Sequence, residues 1–137
     1  MTRINCIPPS RLCQQHLIAE YRELPRIFGA VQKAIARNET PNDMRNPKAY
    51  KLGAGHVRFF YPRLGYLIRR QNEIVSEMKR RGITVNFEPP KRSDFTNIPD
   101  EWFNDWIPDN TAMDINIARI MERMPAKPIF KNCHITM

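Results

Sequence analysis

Long hydrophobic runs are missing from this chain: no stretch of about 18 apolar residues occurs, so no membrane-spanning helix is expected. Cysteine is scarce. The three present, Cys6, Cys13 and Cys133, are an odd number, which excludes a disulfide framework and fits a reducing compartment. Cys6, Cys13, His16, Cys133 and His134 contain no CxxC or other paired ligand spacing, so no metal site is expected. Glycine is limited to five residues, no alternating strand pattern of useful length is found, and no internal repeat or low-complexity tract is present. The start, Met1-Thr2-Arg3-Ile4-Asn5, lacks the basic and apolar regions of a secretory signal, and a cytoplasmic protein is expected. Acidic residues are also in deficit, at 14 against 22 lysines and arginines. The resulting charge of +8 and pI near 9.8 favour an anionic partner, with nucleic acid first. A chain of 137 residues suits one domain around one modest core, and a monomer is the default for it.

What is present is helical periodicity punctuated by twelve prolines. Behind Pro8-Pro9, Leu17, Leu24, Ile27 or Phe28, Val31 and Ile35 recur at helical spacing and predict a first helix over residues 11–37, kinked near Tyr21 to Leu24 by Pro25. Residues 38–51 are polar with two prolines and read as an irregular, unpacked connection. Leu64, Leu67, Ile68, Gln71, Ile74, Val75 and Met78 mark a second helix, closed by Lys79-Arg80-Arg81 and Gly82. Residues 83–109 are mostly loop, with a short turn expected around Asp100 to Trp106 and the two tryptophans pinning that loop to the core. Thr111-Ala112-Met113-Asp114 resembles a capping box that opens a third helix, with Met113, Ile117, Ile120, Met121 and Met124 inward and Pro125 as its stop. The expected fold is all-α: three main helices with long irregular connections.

On the first helix, His16, Glu20 and Glu23 lie at i, i+4 and i+7 and share a face, with Arg22 and Arg26 beside them. By spacing alone a solvated salt-bridge face is the commoner outcome, so the pattern does not specify an enzyme. The longer stretch is more specific. Gln15-His16-Leu17-Ile18-Ala19-Glu20-Tyr21-Arg22-Glu23-Leu24-Pro25-Arg26-Ile27-Phe28-Gly29-Ala30-Val31, behind Met1-Thr2-Arg3-Ile4-Asn5, closely resembles the pyrimidine dimer DNA glycosylases, the phage-type endonuclease V family. Leu52-Gly53-Ala54-Gly55-His56-Val57, Phe59-Phe60-Tyr61 and Arg70-Gln71 are similar to that family too. The likeness covers most of residues 1–82 and returns at Ile107-Pro108 and Ala118-Arg119.

The resemblance implies a glycosylase and abasic-site lyase that needs no metal or organic cofactor and acts on double-stranded damaged DNA. Its nucleophile would be the α-amine of Thr2, freed by removal of Met1, and Glu23 would assist proton transfers and stabilise the cationic sugar. Arg3, Arg22 and Arg26 would hold phosphates, His16 would position or tune the amine, and Gln71 and Arg119 would contact DNA. An α-amine titrates near ~7.7–8.0 against ~10.4 for lysine, so far more of it is unprotonated at neutral pH. The family's tail is rich in tryptophan and tyrosine, whereas Phe130 is the only aromatic residue after Pro125 here. Preference for cyclobutane dimers is therefore less firmly implied than the amine chemistry. The alternatives are the same chemistry on other lesions or on abasic sites only, and a DNA-binding module without catalysis.

Overall fold

The computed structural model describes residues 3–130, so Thr2, Cys133 and His134 lie outside the described residues. Helices α1 (Gln14–Glu23), α2 (Arg26–Ala36), α3 (His56–Phe59), α4 (Leu64–Arg80) and α5 (Asn110–Glu122) are joined by irregular chain. Short 3-10 turns occur at Pro9–Arg11, Arg92–Asp94 and Asp100–Trp102. Among the described residues no strand is present, and one isolated antiparallel bridge links Arg63 to Phe103. The all-α expectation holds, with α4, α5 and the α1–α2 pair as the main elements.

Pro25 splits the expected first helix into two. Leu24 still donates its amide to the Glu20 carbonyl at 2.9 Å, but Pro25 has no N–H to offer the carbonyl of Tyr21. That orphaned carbonyl is taken by the Gln71 side chain, whose Nε2 donates to it at 3.0 Å from α4. Gln71 is fully buried and serves as the tie that makes the break tolerable.

The end of α4 follows from Gly82. Its φ of 76° lets the chain turn back so that Gly82 and Ile83 donate to the carbonyls of Lys79 and Met78 at 3.1 and 2.9 Å, the Schellman pattern. At the other end of α4, Gly65 is required by close approach: a Cβ there would stand 2.7 Å from the Phe103 carbonyl oxygen. The loop before α5 is thereby seated against α4, with Trp102 buried and Trp106 stacked on Tyr50 at a centroid separation of 5.6 Å.

Three expectations need correction. Helix α5 is capped by Asp109, whose side chain accepts from the Ala112 amide at 2.8 Å, rather than by Thr111. Its buried face is Ala112, Asn116 and Ile120; Met113 and Ile117 pack at its edge, while Met121 and Met124 are exposed. The centre of that face is an asparagine, so a search for apolar residues alone rotates the helix away from its true orientation. The connection at 38–51 is irregular but packed. Glu39 is buried and its carboxylate meets Arg37, Arg45 and Arg58 at 2.9, 3.4 and 3.0 Å.

Leu17, Tyr21, Leu67, Ile74 and Val75 belong to one core in which α1 packs on α4. Within it sits an ion pair, Arg70 Nε to Glu20 Oε2 at 2.8 Å and Nη2 to Oε1 at 3.0 Å, with both side chains almost wholly buried. Replacing one member leaves the other charged and unpaired in the core. Arg70→Met is expected to lower stability in urea denaturation by about 3–5 kcal/mol, and the double variant Glu20→Leu/Arg70→Met to recover much of that loss.

Candidate functional site

Residues 3–7 run as an irregular piece of chain between the helices, and most polar groups along them are held by side chains from elsewhere. The Ile4 amide donates to His56 Nε2 at 2.9 Å, and the Ile4 carbonyl accepts from the Tyr50 hydroxyl at 3.1 Å. The Asn5 carbonyl accepts from Tyr66 at 3.2 Å, and the Asn5 side chain donates to Glu20 at 2.8 Å. Asn116 of α5 accepts the amides of Cys6 and Ile7 at 2.7 and 3.2 Å and donates to Asn5 Oδ1 at 2.7 Å. The Ile7 carbonyl accepts from Arg70 Nη1 at 2.5 Å. The hydrogen bonds of this backbone, which makes no helix or sheet, thus go to side chains.

His56 fixes the polarity of one of these contacts. Its Nδ1 lies 2.7 Å from the Lys51 carbonyl, which can only accept, so the proton sits on Nδ1 and Nε2 is left as the acceptor for Ile4. Burial lowers the His56 pKa, the Lys51 carbonyl opposes that shift, and the Arg3 charge adds to it.

At the outer end of the segment, the Arg3 amide donates to Glu23 Oε2 at 3.2 Å. Glu23 Oε1 has no hydrogen bond among the described residues, and neither Arg22 nor Arg26 folds back on this carboxylate. Glu23 lines a cavity of about 140 Å³ together with Arg3, Asn5, His16, Arg119 and Arg123, with Glu20 and Ile120 below.

Three polar atoms of the residues lining this cavity are buried and have no partner among the described residues: Arg3 Nη1, Arg119 Nε and His16 Nδ1. His16 Nε2 lies 3.1 Å from the Arg123 carbonyl and must donate to it, which in the neutral ring leaves Nδ1 as an acceptor. The site therefore offers two guanidinium donors, an imidazole lone pair and a carboxylate oxygen to a ligand. Burial, then the charges of Arg119 and Arg123, lower the Arg3 pKa. Arg119 reaches Glu122 only at 3.7 Å. A group of cations short of counter-charge is a site for an anion such as phosphate.

Of the residues singled out from the sequence, Arg3, His16, Glu23 and Arg119 are brought together here. Arg22 is exposed and borders a separate groove with Tyr21 and Asn86, and Arg26 is exposed beyond it; neither makes an ion pair among the described residues. Gln71 is not at the site, being buried against Tyr21. Glu20 shares the face of Glu23 but is committed to Arg70. The thiol of Cys6 is pushed up to about 12 by burial, which makes it a poor metal ligand or nucleophile. No cluster with metal-binding composition is present among the described residues. Sequence reasoning missed Arg123, although it stands one helical turn from Arg119, and missed Asn116 and His56, whose partners are distant in the chain.

Residues 1–91 match the sequence profile of the pyrimidine dimer DNA glycosylases. Among the described residues no helix is long and apolar enough to cross a membrane.

Two measurements follow from this geometry. Arg119→Ala should weaken binding to damaged duplex DNA and reduce the slope of log affinity against log salt by about 0.9, as expected for one lost phosphate contact; an unchanged slope would mean that Arg119 meets no phosphate. For His56, the lowered folded pKa means that the unfolded chain takes up the proton first as pH falls. Stability is then full above the ordinary histidine value of ~6.5 and is lost below it, down through the folded pKa. His56→Gln, which keeps an acceptor for Ile4, should flatten this acid dependence in thermal melts taken between neutral and mildly acidic pH.

Proposed function

The chain belongs to the pyrimidine dimer DNA glycosylase family, matched over residues 1–91, and from that premise we propose that it excises a damaged pyrimidine through an imine on the Thr2 α-amine and then cuts the strand. The DNA-repair glycosylase role comes with the family; the nucleophile and its partners are the finer reading. Thr2 lies outside the described residues, but the Arg3 nitrogen that donates to Glu23 is bonded to the carbonyl carbon of Thr2. This hydrogen bond is the observation that supports the reading, because Arg3 follows Thr2 directly in the chain.

With Met1 removed, the amine attacks the sugar C1′ as the glycosidic bond breaks and its electron pair leaves with the pyrimidine. Opening of the ring sends the C1′–O4′ pair to O4′, which is protonated, and the nitrogen gives up its protons to form the C1′ imine. Loss of a C2′ proton followed by departure of the 3′ phosphate completes β-elimination. Glu23, with one oxygen unengaged among the described residues, is the group that carries protons between nitrogen, O4′ and C2′. An aspartate there would fall one methylene short. The bare Nδ1 of His16 accepts from the ammonium form of the amine or from a sugar hydroxyl. Arg3 and Arg119 hold the phosphates beside the lesion, and exposed Arg22 and Arg26 extend the same grip along the duplex. Bending and unstacking cost less at a distorted lesion than in intact duplex, so a small protein can select it by deformability.

The test is borohydride trapping of Met1-processed protein on two duplexes, one with a single cyclobutane pyrimidine dimer and one with a matched abasic site. Mass mapping of the adduct to Thr2 on both is expected. Adducts on abasic DNA alone would restrict the enzyme to abasic or other lesions, and binding without any adduct would leave a non-enzymatic DNA-binding module. Glu23→Gln should retain binding and lose about 10²–10⁴-fold in the cleavage rate. Lys33→Ala should trap normally.

A further inference from the structure

Helix α5 carries two kinds of group that bear on the reaction. Arg119 and Arg123 face the cavity, and Asn116, one turn before Arg119, holds the N-terminal segment. We propose that Asn116 is a positioning residue for the nucleophile, setting the course of residues 3–7 so that the residue-2 amine meets the sugar whose phosphates α5 grips. This rests on the reading of Thr2 as nucleophile.

Asn116 is fully buried at the centre of the α5 face that docks on the core. A helix packed only for stability would place an apolar residue there, since a buried amide is costly unless each hydrogen bond is made. Its one oxygen collects two consecutive amides, from Cys6 and Ile7, and its nitrogen reaches the side chain of Asn5. Three consecutive residues are thereby fixed to a single point on α5. Asn5 passes the constraint on, because its own side chain donates to Glu20, one turn from Glu23. Asn116 thus joins the phosphate-facing helix, the nucleophile segment and the helix of the acid/base residue. It touches no reacting atom, and its effect is exerted through the chain that leads to residue 2.

A nucleophile at a chain end has no side-chain rotamer to lock; its position is that of the backbone behind it. Misplacement by about 1 Å can cost 10²-fold in rate while leaving binding nearly intact. Loss of Asn116 should therefore appear in the rate of bond formation rather than in affinity.

The experiment is single-turnover borohydride trapping on an abasic duplex, with affinity for the same duplex measured separately and active protein titrated in each preparation. Asn116→Ala is expected to slow trapping per active site at least about tenfold while the dissociation constant changes by less than about threefold. Asn116→Ser, which disturbs packing less and keeps an acceptor, should move the same way by at least about threefold, and it carries the test if the alanine variant does not fold. Ile98→Val, a core change outside the site, should reduce thermal stability without altering the trapping rate per active molecule. An unchanged rate per active site in the folded Asn116 variants, or equal losses in rate and affinity, would overturn the positioning role while leaving Thr2 as nucleophile. Failure of the unsubstituted protein to trap at Thr2 would overturn both.

Discussion

The buried pair of Glu20 and Arg70 is the interaction on which the rest of the structure depends. Taking two opposite charges out of water costs several kcal/mol per ion in proteins of this kind, and attraction offsets it only if the remaining donors and acceptors are filled. Here they are filled by the N-terminal segment: Asn5 donates to Glu20, and the Ile7 carbonyl accepts from Arg70. The segment fills hydrogen bonds that the pair leaves open, and the pair in turn satisfies the Asn5 side chain and the Ile7 carbonyl. An otherwise featureless start of the chain thus becomes part of the core, and its outer end is delivered to Glu23.

The same logic separates the arginines into two populations. Arg70 and Arg81 are buried and committed to carboxylates and carbonyls, so they contribute to the net charge without being available to a ligand. Arg3, Arg119 and Arg123 stand together with little counter-charge, and Arg22 and Arg26 are exposed. Long-range attraction follows from the whole surplus of +8, whereas on the proposed reading recognition at the cavity rests on the few guanidiniums that face it.

Punctuation in the sequence was a good guide to the helices: Pro25 broke one, Gly82 closed another, and the all-α character needed no more than periodicity. The site was legible only in part. Glu20 and Glu23 are indistinguishable on a helical wheel, and what separates them is Arg70, fifty residues away and itself hidden in an amphipathic helix whose polar positions look solvated. Gln71 has the appearance of a surface residue until the carbonyl freed by Pro25 is taken into account. Asn116 reversed the apolar reading of α5 because a polar residue at the middle of a buried face has a partner that no local pattern reveals. Resemblance to the family found Arg3, His16, Glu23 and Arg119 together, which spacing alone could not have joined.

An amine nucleophile placed among cations has an electrostatic consequence. On the proposed reading, Arg3, Arg119 and Arg123 repel an ammonium at residue 2 and shift it toward the neutral, reactive form, while Glu23 pulls in the opposite direction. Phosphates bound by the arginines weaken the repulsion as the substrate arrives, so the ammonium would be favoured when the amine is needed. On the same reading, His16 Nδ1 offers the amine a neutral hydrogen-bond acceptor, so that no second carboxylate is drawn to it. The carboxylate oxygen that no arginine occupies then remains free for the sugar. Had Arg22 or Arg26 closed on Glu23, the salt bridge suggested by helical spacing would have occupied the carboxylate oxygen that the proposed chemistry uses.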